Sequence, residues 1–137
     1  MAGTSIFDIA GSAMTAQKVR LNTVASNLAN ASVVSGDADG AYRARMPVFE
    51  TVLREQGGRV DGGLVRVADI RESAAAPKQR YAPDHPLANG EGYVYGSNVN
   101  MAEEMANMTS AARSYQTSVE VMNTVKQLML RTLRMGQ

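Results

Sequence analysis

The chain is predicted to be mainly α, with two long terminal helices pairing as an antiparallel coiled-coil-like hairpin and a small irregular β-rich insert between them. Three observations carry this. Near the N-terminus Phe7, Met14, Leu21 and Leu28 recur every seven residues, with Ala10 and Val24 three places after the first and third. Near the C-terminus Met101, Met108, Tyr115, Met122 and Met129 keep the same spacing, with Met105, Ala112, Val119 and Leu133 as companions. The middle shares neither pattern and is broken by Gly, Pro and Asp. A repeat of seven is slightly tighter than two turns of a straight helix, so it belongs to helices wound around each other with a left-handed twist.

The first helix is expected to start at Ser5 as N-cap, with Asp8 three residues on in capping-box register. It should end near Asn27–Asn30, a span of about 36 Å. Gln17 interrupts the apolar seam and is read as an edge residue pointing to water, the alternative being a buried register pin. Ser32 to Gly40 turns to Ser, Gly, Asp and small residues, which reads as a loop. Strand-like runs follow at Val48–Leu53, closed by Gly57-Gly58, at Leu64–Ile70, and at Tyr93–Tyr95 between two glycines. Pro77, Pro83 and Pro86 exclude a continuous element between the last two.

The second helix should open at Asn100 as N-cap, with Glu103 completing a capping box. Glu103 and Glu104 in the first turn and Lys126, Arg131 and Arg134 toward the end complement the helix dipole. With no Pro or Gly before Gly136 it can run about 50 Å and overhang the first helix. Its last stretch, Val121, Val125, Leu128, Met129, Leu130 and Leu133, is apolar over more than one partner helix can cover, which implies a further neighbour. The division expected is a helical core of residues 1–31 plus 98–137, with residues 32–97 as loop and insert. If the seams meet, Leu21 or Val24 should approach Tyr115–Met122 in the antiparallel sense.

Composition narrows the chemistry. At 137 residues and net charge +1, with no basic tract interleaved with aromatics, nucleic acid is not an expected partner. No apolar run reaches the roughly 20 residues of a membrane span, and the first residues lack the features of a cleaved secretory signal. Cysteine is absent, which excludes disulfides and thiolate metal sites. Six of the nine methionines lie between Met101 and Met135, a flexible apolar face suited to several slightly different neighbours. His85 stands alone between prolines with Asp84 beside it and no candidate nucleophile, so a turn histidine outweighs a catalytic one. No catalytic set, cofactor or metal is expected. Asn27, Asn30, Asn98, Asn100 and Asn107 gather near helix ends, where capping explains most of them, with hydrogen bonding across subunit contacts as the alternative.

At Ala25-Ser26-Asn27-Leu28-Ala29-Asn30, followed by Tyr42-Arg43, the sequence resembles the bacterial flagellar rod and hook proteins. Gly92-Tyr93-Val94-Tyr95-Gly96-Ser97-Asn98-Val99-Asn100, then Glu103-Glu104-Met105 and Arg113-Ser114-Tyr115-Gln116, resembles their C-terminal helix and its approach. Asn100 stands where relatives commonly carry Asp, and either residue caps a helix. The short chain, Ala68-Asp69-Ile70 and Pro86-Leu87-Ala88 are most similar to the family's proximal rod members.

The resemblance implies a structural subunit of the basal body, exported unfolded by the flagellar type III apparatus without a cleaved signal. Such a subunit polymerises into the periplasm-crossing drive shaft. Its partners would be other rod proteins, copies of itself and, around the shaft, the basal-body rings. The assembly interface expected comprises Phe7, Met14, Leu21, Val24, Asn27, Leu28, Asn30, Met101, Met105, Met108, Tyr115, Val119, Met122, Met129 and Leu133. The competing reading is a soluble helical-hairpin adaptor or secreted effector that binds through its Met-rich helix face.

Overall fold

The computed structural model describes residues 5–56 and 59–136. In chain order the elements are α1 (Ile6–Ala29), β1 (Val34–Ser35), β2 (Arg45–Gln56), β3 (Arg59–Glu72), β4 (Lys78–Tyr81), β5 (Tyr93–Gly96) and α2 (Met101–Met135). Both helices form where the heptads lie. Ser5 Oγ accepts from the Asp8 N–H at 3.2 Å while Asp8 Oδ2 accepts from the Ser5 N–H at 3.1 Å, the reciprocal box that the spacing implies. Asn30 caps the other end, its N–H bonding back to the Ser26 and Asn27 carbonyls. At α2 the cap is one-sided. Asn100 Oδ1 accepts from the Ala102 N–H at 3.1 Å, and Glu103, expected to complete the box, points into solvent.

The helices run antiparallel side by side. Asn27 near the end of α1 meets Glu104 in the first turn of α2, Arg20 meets Asn107, and Gly11, Met14, Thr15 and Lys18 share a groove with Tyr115 and Met122. Val24 lies between Arg20 and Asn27 and so faces the start of α2. The expected meeting of Leu21 or Val24 with Tyr115–Met122 is therefore displaced, by about two turns for Leu21 and three to four for Val24. The inward row on α2 is also corrected. Met108, Tyr115 and Met122 are half-buried as expected, but beside them run Glu104, Ala111, Ser118 and Val125, each one residue before Met105, Ala112, Val119 and Lys126. Met101 and Met105 stand in solvent. Apolar spacing marks two adjacent rows equally well, and Glu104 and Ser118 are polar, so the periodicity points to the wrong one of the two.

Between the helices the chain makes two β structures. β2 and β3 pair as a long antiparallel ribbon, with register shifts at Val48/Phe49 and between Leu53 and Glu55. Twelve residues of β2 reach about 40 Å, more than the small insert expected. The ribbon is laid along α1, because Ser12 Oγ accepts from the Val65 N–H at 3.1 Å and Asn27 holds Arg45. From Ser12 to Asn27 a helix rises about 22 Å. From Arg45 to Thr51, which pairs with Val65, a strand covers about 20 Å, so ribbon and helix keep pace. Pro47 fits this placement. Ala44 bonds inward to Ser73 and Arg45 turns its peptide outward to Asn27, so the alternation points the position of Pro47 outward too, where a missing N–H breaks no ladder bond. The Gly57-Gly58 turn lies outside the described residues.

The second structure is a three-stranded antiparallel sheet in the order β1-β5-β4, placed at the end where α1 stops and α2 begins. Two of its strands fall in segments expected to be loop. β1 is two residues long, too short to alternate, and β4 is an edge of Lys-Gln-Arg-Tyr with all four side chains exposed. Val94 and Val99 are fully buried beneath the sheet. The core is otherwise made of small residues: Ala10, Ala16, Val24, Ala41 and Ala111. Phe7, Met14, Leu21 and Leu28 are only half-buried.

Candidate functional site

The two recognisable stretches of sequence converge on one polar joint. Asn27 is fully buried at the end of α1, and its carboxamide satisfies every hydrogen-bonding position that it has. Oδ1 accepts from the Arg45 N–H at 2.9 Å and from the Tyr42 hydroxyl at 3.0 Å. Nδ2 donates to the Arg45 carbonyl at 2.8 Å and to Glu104 Oε2 at 3.1 Å. The side chain thus pairs with the Arg45 peptide as a neighbouring strand would, and its remaining donor holds the first turn of α2.

Asn98 does the same from the other side. Its Oδ1 accepts from the Ala44 N–H at 2.7 Å, and its Nδ2 donates to the Ala75 carbonyl at 2.8 Å. The Tyr42 hydroxyl also lies 3.3 Å from Ser26 Oγ, and its ring sits under the Arg45 guanidinium at 5.9 Å. Glu104 is buried at the N-terminus of α2, where backbone N–H groups favour a carboxylate. Two asparagines, one from each side of the insert, therefore clamp Ala44–Arg45, where the ribbon leaves the helices. Neither one caps its helix. Asn27 spends all four of its side-chain bonds inside the chain, so it holds the subunit's own joint.

The far end of α2 is the opposite case. From Lys126 onward every described residue is exposed, including Leu128, Met129, Leu130 and Leu133. Ten residues of helix, about 15 Å, stand clear of α1. Val125, Leu128, Met129, Thr132 and Leu133 line an open, largely apolar groove there.

The expected interface residues thus divide into three groups. Val24 and Asn27 are buried within the chain. Phe7, Met14, Leu21, Leu28, Asn30, Met108, Tyr115, Val119 and Met122 are half-buried, and Met101, Met105, Met129 and Leu133 are exposed. Asn98, Ser12 and the Arg20–Asn107 pair, whose Nη2 to Oδ1 distance is 2.9 Å, do positioning work that apolar periodicity could not reveal. Gln17 is corrected from a solvent-facing residue, since its Oε1 is buried without a hydrogen-bond partner. His85 sits in a turn, its Nδ1 accepting from the Leu87 N–H at 3.1 Å.

Residues 7–36 match the family of the Flagella basal body rod protein, and residues 91–135 match the Flagellar basal body rod FlgEFG protein C-terminal family. Over all 137 residues, and the whole of both chains, the protein is 53% identical to the Flagellar basal-body rod protein FlgC of Escherichia coli O6:H1. It is 51% identical over the same span to FlgC of Salmonella typhimurium. It is 35% identical to FlgC of Bacillus subtilis, with 95% of each chain covered.

Proposed function

This chain belongs to the family of flagellar basal-body rod proteins and is a structural subunit of the basal-body rod, and we propose that it builds the proximal part of that rod through its helices. In this reading the two terminal helices pair as a coiled-coil-like hairpin, the body formed by residues 1–31 and 98–137 packs against neighbouring rod proteins and further copies of the chain, and residues 32–97 face outward toward adjacent subunits or surrounding rings. The observation that carries it is the bare end of α2. Leu128, Met129, Leu130 and Leu133 lie on a well-formed helix and, among the described residues, nothing in their own chain covers them. Large apolar side chains left in water on a helix end mark a surface completed by another protein.

The role is mechanical rather than catalytic. A rod that transmits torque needs stiffness, and long helices interlocked with many neighbours by repeated heterologous contacts supply it. Export through the flagellar type III apparatus as an unfolded chain fits a subunit whose apolar surface is covered only after assembly. The adaptor reading shares the exposed methionines but does not account for full-length identity to rod proteins.

Leu28→Asp tests the assembly role. Leu28 is half-buried beside Asn27, and completing the burial of a Leu in an assembled contact adds part of the roughly 2 kcal/mol that full burial is worth. Cells with this variant should export full-length protein yet lack completed rods and motility, as electron microscopy of basal bodies would show. Normal rods would overturn the assignment of the helical body to assembly.

A further inference from the structure

Two uncovered surfaces at opposite ends of the chain are complementary in both chemistry and charge. On α2, Leu128, Met129 and Leu133 adjoin Lys126, Arg131 and Arg134, and no acidic residue follows Glu120. At the other end, past the joint, Tyr81 at the close of β4 is 64% exposed and Leu87 in the following turn 50% exposed. Asp84 and Glu91 border them. The loop carrying Asp37 and Asp39 is held against the same turn, for a Cβ on Gly36 would lie 3.0 Å from the Leu87 carbonyl oxygen. Across residues 79–97 the only Lys or Arg is Arg80. An apolar surface with a basic border thus stands at one end, and an apolar surface with an acidic border at the other.

Resting on the rod-subunit reading, we propose that the α2 end of one subunit docks on the Tyr81–Leu87 surface of a second copy of this chain. The two surfaces cannot meet within one molecule, because α2 carries Leu128–Leu133 roughly 40 to 48 Å from its own start, where the sheet lies. Each fits the other and neither fits itself, since like ends would bring like charges together. A contact between different patches on identical subunits gives a ring where its rotation closes and a helical filament where it does not, and the rod reading calls for the second. The apolar residues supply the affinity, and the charges select the orientation and reject the reverse docking.

The test places a photoreactive benzoylphenylalanine at Leu133, 69% exposed and outside the core, in cells that also make a differently tagged copy of the chain. Irradiation of isolated basal bodies should give a species of twice the chain mass, with the adduct mapped by mass spectrometry to residues 81–91 of the tagged copy. Arg131→Glu with Arg134→Glu should reduce swimming at least tenfold, and Asp84→Lys with Glu91→Lys should restore part of it. An adduct on a different rod polypeptide, or on another part of the second copy, would overturn the proposal while leaving the rod reading intact, as would failure of the charge reversal to rescue. Complete rods in cells lacking this chain would instead overturn the rod reading itself.

Discussion

The joint around Asn27 and the outer end of α2 follow opposite rules. At the joint, polar groups from four segments are buried and paired, and the packed side chains around them are small. At the end of α2, large apolar side chains are exposed, among the described residues, on a regular helix. The first arrangement costs stability whenever one member is lost, because each partner left behind is a buried polar group without a bond. The second loses nothing within the chain when altered. One region holds the subunit together, and the other is the surface proposed to be completed by its neighbours.

Substitutions at the two regions should therefore separate folding from assembly. The largest effect on the isolated chain is expected for Asn27→Leu, which leaves the Arg45 peptide, the Tyr42 hydroxyl and Glu104 unpaired. A loss of about 3 kcal/mol or more should appear as a lower midpoint in urea unfolding. Asn98→Ala removes two bonds at a less buried position, and about 2 kcal/mol is expected by the same measurement. Ser5→Ala removes one side of the capping box at an exposed helix start, worth about 1 kcal/mol, with local fraying visible in amide exchange. Leu128→Asp with Leu133→Asp should change the isolated subunit by less than about 0.5 kcal/mol, as exposed substitutions do, yet abolish motility. A large loss of stability in this last variant would erase the distinction between the two ends.

The sequence carries the helices more clearly than the contacts between them. Ser5 with Asp8, Asn100, and the uninterrupted run to Gly136 mark the ends of α1 and α2 because capping and helix breaking are local chemistry. The β2–β3 ribbon is visible in Val48–Leu53, a short β-prone run after Pro47, and in Leu64–Ile70, where Val65 and Val67 flank Arg66 in alternation. β1 and β4 are silent, the one for want of length and the other because Lys78–Tyr81 is solvated on every side chain. The helix register was hidden for a different reason. It is set by Arg20 with Asn107 and Asn27 with Glu104, polar pairs that an apolar repeat cannot report. The unpaired end of α2 was visible in advance, since its apolar width exceeds what one helix covers. The joint was visible only as a motif whose work became apparent once Asn27 was placed against Arg45.

The hydrogen bond from Asn27 to Glu104 spans 77 positions of the chain. Closing a loop of that size costs roughly 4 kcal/mol of chain entropy, and no shorter segment can recover it by forming this contact early. Whichever way the chain emerges, from a ribosome or from a narrow conduit, α1 and α2 are not both available until about three-quarters of it is out. Completion of the joint is therefore a late event in time. It marks the moment after which the end of α1 and the start of α2 keep a fixed relation to each other.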